Sequence, residues 1–187
     1  MVALKTAQQQ TDPTPLTEHE GMLLALVIRE QPVRPYQVYK LFERSPVTAI
    51  NSSKGQIYPA IRRLKAKGLI TSQNVPGDAR NAEELSATPA GVQAAAAWVL
   101  EIRDDHINLE DPLRTRMLSF DLLTKEQRIA WISNAKALVK ARRQAVEEFD
   151  RNTTVPYQRF ALASTMEMLR VKMEWLDDLL HEQVNAE

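Results

Sequence analysis

Cysteine is absent from this 187-residue sequence, so neither a disulfide framework nor a thiolate metal site is available. Glycine is scarce, with five residues, and no glycine-rich loop precedes a helix where it would cradle a phosphate. The three histidines are isolated in the sequence. Because no nucleophile, base or ligand cluster emerges, we expect a protein that is not an enzyme and that uses no metal or cofactor.

Long hydrophobic runs are also missing. The apolar stretch from Met22 to Ile28 is far too short to span a bilayer. The first residues do not have the charged, apolar and small-residue order of a signal peptide. With 44% apolar residues the chain nevertheless has enough material for a buried core. We therefore expect a cytoplasmic protein that does not act at a membrane.

The net charge of zero hides an uneven distribution of charge along the chain. Between Arg29 and Arg80 there are ten Lys or Arg residues against three Asp or Glu, a balance of +7. Residues 1–28 carry a balance of −2 and residues 81–187 one of −5. Positive charge concentrated in one part of a neutral chain is typical of a surface that binds a polyanion. The alternative is that these lysines and arginines only make helix surfaces soluble.

The amino-terminal half reads as three short helices. Residues 1–15 are polar and broken by proline, and we expect them to be flexible. Thr17 and Glu20 have the spacing of a capping box ahead of the first helix. Pro35 suits the first turn of a second helix, and Gly68 suits the end of a third.

The third helix has two different faces. Its core stripe follows the i, i+3, i+4, i+7 rule and consists of Ile57, Ala60, Ile61 and Leu64. The opposite side carries Gly55, Pro59, Arg62 and Ala66. Small residues beside an arginine let a helix backbone approach a DNA groove closely. Because Pro59 removes one backbone hydrogen bond, a regular helix that starts only near Pro59 remains an alternative.

A hairpin should follow these helices. The stretches "LITSQ" and "ELSA" are short strand candidates on either side of a turn at Pro76-Gly77. Three short helices followed by a hairpin predict a winged helix-turn-helix. We therefore expect a mainly α protein with a small β-hairpin wing.

The carboxy-terminal half predicts four further helices. One begins at Thr88-Pro89 and runs to about Arg103, and a shorter one begins at Asp111-Pro112 and includes Met117, Leu118, Leu122 and Leu123. Thr124 to Gln127 has the capping-box spacing for a long helix, and Pro156 opens the last one. We expect a DNA-binding domain at residues 16–104 and a helical domain at 105–187.

Both long helices carry apolar seams with alternating spacings of three and four residues. The seam of the last helix consists of Leu162, Met166, Leu169, Met173, Leu176 and Leu180. Such spacing predicts coiled-coil-like pairing, either between two chains or between the two helices of one chain. Since a single recognition helix reads only a few base pairs, a DNA-binding unit of this size favours a homodimer that is joined through the seam of the last helix and whose two recognition helices lie ~34 Å apart on a palindromic site.

Individual DNA contacts follow from the predicted helices. The amino end of the third helix offers hydroxyl, amine and amide groups to phosphates and to an adenine edge. Tyr58 and Arg62 are placed to reach deeper, although Tyr58 also suits half-buried packing. Lys65 and Lys67 fit a solubilising role better. The predicted DNA contacts are Tyr36, Lys40, Ser52, Ser53, Lys54, Gln56, Tyr58, Arg62, Arg63 and Arg80.

Five motifs resemble those of a known family. They are "LLAL" at 23–26, "PYQV" at 35–38, "SSKGQIYPAIRRLKAKGLI" at 52–70, "ATPAG" at 87–91 and "DPLRTRMLSFDLLTKEQ" at 111–127. The first four resemble the amino-terminal winged-helix domain of the PadR family of bacterial transcriptional regulators. The fifth is similar to the start of the carboxy-terminal helical domain in one branch of that family. The wing departs from the family pattern, because its loop has only Arg80 as a basic residue and Glu83, Glu84 and Leu85 stand where aromatics are common.

The resemblance implies a homodimeric repressor that a small, often aromatic ligand releases from operator DNA. We expect the ligand in an apolar cavity between the two domains, lined by Trp98, Met117, Trp131, Met173 and Trp175. Plain core packing is the alternative for these residues. A helical protein-protein adaptor without specific DNA binding is the alternative for the whole chain, and it would need no basic third helix.

Overall fold

The structure is a computed structural model that describes residues 15–43, 54–75, 83–107 and 110–185, with the side chain of Lys54 excepted. The described residues divide into two compact units, the first ending at Ile102 and the second beginning at Arg103. The predictions for residues 1–14 and for the turn at Pro76-Gly77 lie outside the described residues.

The first unit contains four helices and one hairpin. Its elements are α1 (Glu18–Glu30), α2 (Pro35–Glu43), α3 (Lys54–Ala66), β1 (Ile70–Asn74), β2 (Glu83–Ala87) and α4 (Pro89–Leu100). This order matches the predicted winged helix-turn-helix with a small hairpin. The helix α3 includes Pro59 and is regular from Lys54, so the alternative of a start near Pro59 is wrong.

Local signals set the ends of these elements. The hydroxyl of Thr17 accepts from the Glu20 amide at 3.2 Å, and the Glu20 carboxylate accepts from the Thr17 amide at 3.4 Å, which completes the predicted capping box of α1. Gly68 follows α3 with a φ of +68°, a conformation that favours glycine. A single residue, Leu69, then separates it from β1.

The hairpin closes one side of the core. Strands β1 and β2 are antiparallel, and their register pairs Ile70 with Ala87 and Asn74 with Glu83. Val33, between α1 and α2, adds an isolated antiparallel bridge to Leu85 with two backbone hydrogen bonds of 2.8 and 3.1 Å. Both side chains are buried, so the wing's base is tied to the helices by backbone and by packing.

The second unit is helical. Its main elements are α5 (Pro112–Met117), α6 (Lys125–Arg151) and α7 (Gln158–Asn185), with short 3-10 turns at Asp104–His106 and Phe120–Leu122. Thr124 and Gln127 form the predicted capping box of α6. No helix in the described part of the chain is both long enough and apolar enough to cross a bilayer.

The two predicted seams pack on each other within the chain. A buried cluster of Ile132, Ala135 and Val139 from α6 with Leu176 from α7 forms the centre of the second unit. Leu169, Met173 and Leu180 of the α7 seam pack against it, while Leu162 and Met166 are half-buried. For these described residues the structure follows the intrachain alternative.

Several helix ends differ from the predictions. Helix α4 stops at Leu100 rather than near Arg103, and α5 stops at Met117, so that Leu118, Leu122 and Leu123 lie beyond it. Pro156 does not open the last helix, because a turn in which Tyr157 has a φ of +59° precedes Gln158. Proline limits where a helix starts but does not fix its first residue.

Candidate nucleic-acid interface

The helix α3 has the two faces that its sequence predicts. Ile57, Ala60, Ile61 and Leu64 are all at most 3% exposed and form part of the core. On the opposite side Gly55, Arg62 and Ala66 are exposed and Pro59 is half-buried. The exposed side therefore presents little side-chain bulk, which is what close approach to a DNA groove requires.

Arg62 is the cation at the centre of this exposed face. Its side chain is exposed and forms no ion pair with any residue that the structure describes. A guanidinium group carries five donors in a rigid fork that matches phosphate oxygens and the O6 and N7 atoms of guanine. Arg62 is thus equipped for either contact.

Arg63, the next residue, is engaged inside the protein. Its Nε donates to Oε1 of Glu20 at 2.7 Å, and Lys67 Nζ donates to Oε2 of the same carboxylate at 2.9 Å. The Glu20 side chain is only 3% exposed, against 52% for Arg63 and 29% for Lys67. One buried carboxylate on α1 therefore holds two cations from α3 and the turn after it.

The Glu20 carboxylate is stabilised in its charged form. Burial by itself would raise the pKa of Glu20, but hydrogen bonds from Arg63, from Lys67 and from the Thr17 amide lower the pKa below its ordinary value. A buried charge persists only when it is paired and hydrogen-bonded, and Glu20 meets both conditions.

Two further cations are paired with glutamates of strand β2. Lys65 donates to Glu83 at 2.6 Å, and this hydrogen bond lowers the pKa of Glu83. Arg34 lies 3.9 Å from Glu84. Both glutamates belong to β2 and offset the charge of neighbouring cations. Lys65 and Lys67, expected to be solubilising, are ion-paired.

These ion pairs offset part of the positive charge between Arg29 and Arg80. Glu20, Glu83 and Glu84 lie outside that stretch in sequence but pair with its cations in space. Over residues 16–102 the count is ten Lys or Arg against eight Asp or Glu. The formal charge of this domain is therefore close to neutral, at +2.

On α2, Tyr36 and Lys40 lie close together. Tyr36 is 54% exposed, and the Lys40 ammonium lies 5.7 Å from the centre of its ring. Lys40 also donates to Glu43, as does the hydroxyl of Tyr39. The hydrogen bond to Glu43 raises the pKa of Lys40. Lys40 is thus oriented along the helix by a partner on the same element.

The remaining predicted contacts divide into two groups. Gln56 is exposed and Tyr58 is half-buried on α3, so both reach the surface of that helix. Ser52, Ser53 and Arg80 lie outside the described residues, as does the side chain of Lys54. For all of these residues DNA contact stays a prediction.

The predicted effector residues belong to different units. The indole of Trp98 packs on Gly21, where an added Cβ would lie 2.3 Å from the ring. Trp131 meets Phe120 edge to face, with ring centres 5.1 Å apart. Met173 and Trp175 pack on the same α6–α7 core, and Met117 is half-buried. Each described contact is ordinary packing, and a role toward a ligand stays a prediction.

The second unit has an open groove of about 460 Å³ along α6. Its lining residues are Leu113, Ala135, Leu138, Val139, Ala141, Arg142, Ala145, Leu169 and Lys172. This set of described residues includes none of the predicted effector residues. The lining is mainly apolar but includes the two cations Arg142 and Lys172, of which Lys172 is paired with Asp111 at 2.7 Å.

Metal chemistry has no support in the described ranges. Within residues 15–43, 54–75, 83–107 and 110–185 no group of three His, Cys, Asp or Glu side chains could hold a metal ion.

Comparison with known proteins gives one family and several solved structures. The family described as "Transcriptional regulator PadR-like family" matches residues 23–97. This range spans α1 from Leu23 through most of α4 and contains the whole of α3. The comparison with curated protein sequences gives no match.

The solved structures resemble the chain along most of its length. Bacillus subtilis PadR in complex with operator DNA has a TM-score of 0.73 at 16% identity, covering 88% of this chain and 98% of that one. The same protein with p-coumaric acid has a TM-score of 0.73 at 14% identity, covering 89% and 98%. A PadR-like transcriptional regulator from Bacillus cereus has a TM-score of 0.71 at 19% identity, covering 90% and 97%. At these identities the likeness establishes the fold, which includes the carboxy-terminal helices.

The family match and the fold agree with the winged-helix unit described above. The family is one of transcriptional regulators and not one of enzymes. Residues 23–97 of this chain form a domain of the transcriptional regulator PadR-like family.

Proposed function

We propose that the chain is a sequence-specific DNA-binding transcriptional regulator that acts as a homodimer on a palindromic operator. Its α3 helices lie in successive major grooves, and binding represses transcription by covering a promoter. A small aromatic ligand releases the protein from its operator. A regulator of this kind works in the cytoplasm, where bacterial DNA is found.

The exposed face of α3 carries this proposal. Gly55 and Ala66 have almost no side chain, and Pro59 is half-buried. The Arg62 side chain is exposed and forms no ion pair with any described residue. A solvated helix face without a ligand would favour long polar residues instead. The family domain at residues 23–97 supports the same reading, as does the operator complex of Bacillus subtilis PadR.

The small number of base pairs that one recognition helix can contact supports a homodimer. One recognition helix contacts only a few base pairs, whereas a two-fold dimer places a second helix ~34 Å away, over the next turn of the duplex. The second unit has apolar surface to bring two chains together. Phe160, Met168 and Val171 of α7 are 58%, 69% and 51% exposed.

These three residues, which we call the α7 stripe, lie within an arc of about 80° at 100° per residue. They occupy a different face from the seam of Leu162 to Leu180, much of which packs on α6. We therefore assign the dimer contact to the α7 stripe, with the α6–α7 core holding the helix in place. The seam contributes to dimerisation indirectly, by orienting α7.

A likeness to a ligand-bound structure supports the proposed ligand response. One structure of Bacillus subtilis PadR contains p-coumaric acid. The aromatic side chains Trp98 and Trp131 suit such a ligand by stacking, and Met117 and Met173 adapt in shape. Titration of the full chain with phenolic acids, followed by tryptophan fluorescence and operator release together, tests this role.

The DNA-binding proposal is tested by charge removal at α3. We expect Arg62→Ala to weaken operator binding at least tenfold in a gel-shift series and to reduce its salt slope, because one cation contact per chain is lost. Arg143→Ala is the matched control, since it removes an exposed arginine from α6. Equal affinities for Arg62→Ala and the unaltered protein would refute the proposed reading face.

A helical adaptor that binds other proteins is the competing function. Retention on immobilised duplex DNA separates the two, because an adaptor has no reason to bind a duplex. A protein that passes through such a column at low salt would favour the adaptor.

A further inference from the structure

We propose that Glu20 is a positioning residue that withholds Arg63 and Lys67 from DNA, so that Arg62 is the cation through which the middle of α3 meets the duplex. This inference rests on the proposed DNA-binding function and concerns how the same site discriminates between sequences. It removes Arg63 from the predicted contacts of α3.

The geometry of the pairs carries the inference. Glu20 accepts three hydrogen bonds, from Arg63 Nε at 2.7 Å, Lys67 Nζ at 2.9 Å and the Thr17 amide at 3.4 Å. Its side chain is 3% exposed. The two cations lie 43 and 47 residues further along the chain, so the contacts join α1 to the carboxy-terminal part of α3 and to the turn after it.

Burial decides the competition between Glu20 and a phosphate. A phosphate on the duplex surface is solvated and screened by counterions, whereas the Glu20 carboxylate has almost no access to water. If Arg63 and Lys67 moved to DNA, a buried charge would be left without its partners, which is among the costliest changes in a protein interior. The internal carboxylate therefore keeps both cations.

Glu20 cannot move to follow them. It is the N3 residue of the α1 capping box, so its backbone amide and its side chain are both tied to Thr17. The neighbouring His19 ring packs edge to face on Phe42 at 5.9 Å, which limits the freedom of this turn further. The carboxylate is thus a fixed anchor for the helix that reads DNA.

The Glu20 ion pairs therefore affect how well the protein discriminates between DNA sequences, and not only how tightly it binds DNA. Each phosphate contact adds about 0.9 to the slope of log affinity against log salt and strengthens binding to every sequence alike. Because two cations per chain are kept from phosphates, the part of the binding free energy that is the same for every DNA sequence becomes smaller. The fraction of the binding free energy that depends on base contacts by Arg62 and its neighbours rises accordingly.

The test measures salt slopes for a scrambled duplex and for a selected operator, with the full chain. We expect Arg62→Gln to flatten the slope by about 0.9 per chain, and Arg63→Gln and Lys67→Gln to leave it unchanged. Glu20→Gln should steepen it by up to about 1.8 per chain and tighten binding to the scrambled duplex, since both cations are then released. Adding Arg63→Gln and Lys67→Gln to Glu20→Gln should restore the original slope, an effect that a purely structural role would not produce.

Each outcome decides the matter. If Arg63→Gln or Lys67→Gln flattens the slope as much as Arg62→Gln, those cations contact phosphates and the inference is overturned, while DNA binding stands. An unaltered protein that binds neither duplex overturns the proposed function and the inference together. Should Glu20→Gln fail to fold by circular dichroism, the Arg63 and Lys67 variants still decide the question.

Discussion

The two units of the molecule differ in how much of their apolar surface their own chain covers. Among the described residues, fourteen apolar side chains of the first unit are buried, against five in the second, although more residues of the second unit are described. In the first unit the most exposed of the large apolar residues are Val99, Leu100 and Ile102, at and just after the end of α4. In the second they are spread over α6, α7 and the segment between α5 and α6, as Leu118, Leu122, Leu138, Phe160 and Met168.

This difference indicates a division of roles. The first unit has a closed core around Leu23, Leu24 and Leu64, which holds α3 firmly from behind. The second unit has one thin layer between α6 and α7, and large apolar side chains remain exposed on both helices, Leu138 on α6 and Phe160, Met168 and Val171 on α7. A layer of this kind is stable when a second copy covers it, which agrees with the homodimer that we propose.

The largest expected effect is in the closed core. Leu64→Ala, at a side chain with no exposed surface, should lower the free energy of unfolding by about 2–5 kcal/mol. Leu41→Ala on α2, where 39% of the residue is exposed, should cost less than half as much. Chemical denaturation of both variants measures their free energies of unfolding. Similar costs at the two positions would mean that the first unit is not closed around α3.

The next effect concerns the second unit. Met168→Lys puts a charge in the α7 stripe and should weaken dimerisation at least tenfold, because the charge must lose its water at the interface. Ala163→Lys adds the same charge at an exposed position about 140° away on the same helix. Sedimentation equilibrium gives both dissociation constants. An unchanged constant for Met168→Lys would place the dimer contact elsewhere.

The smallest effect is a pH dependence of the first unit. Burial lowers the pKa of His19, the nearby Arg63 guanidinium lowers it further, and Glu20 partly opposes both. The folded state therefore binds fewer protons than the unfolded state below the ordinary pKa of 6.5. Stability is full above that value and falls as pH decreases from about 6.5 toward the folded pKa.

Replacing this histidine should remove the pH dependence. His19→Gln is expected to flatten the curve of unfolding free energy between pH 7 and 5 relative to the unaltered protein. The comparison uses denaturant midpoints at each pH. If the unfolding free energy depends on pH in the same way with and without His19, this histidine is not the cause of the pH dependence.

Local patterns made much of the fold predictable. The capping boxes at Thr17 and Thr124, the core stripe of α3 and the αL position of Gly68 each depend on residues within a few positions of one another. Periodicity and capping are read directly from such neighbours. The same holds for the exposed face of α3, and so for Arg62.

Contacts between residues that lie far apart in the chain could not be predicted from the sequence. The Glu20 pairs join residues more than 40 positions apart, and the Lys65 pair with Glu83 crosses 18 positions. A charge count over a continuous stretch therefore overstated the positive surface. The α7 seam posed a different problem, because pairing within a chain and pairing between chains have the same spacing. What identified the α7 stripe was the observed exposure of Met168 and its neighbours.

The most direct test of the central claim is the selection and sequencing of DNA fragments bound by the purified full chain. Two α3 helices related by a two-fold axis should enrich an inverted repeat whose half-sites are centred about one helical turn, roughly 10 base pairs, apart. Loss of that enrichment in Arg62→Ala but not in Arg143→Ala would tie the repeat to α3. Enrichment of no motif, or of a single half-site without its inverted copy, would contradict a dimer that reads DNA through paired α3 helices.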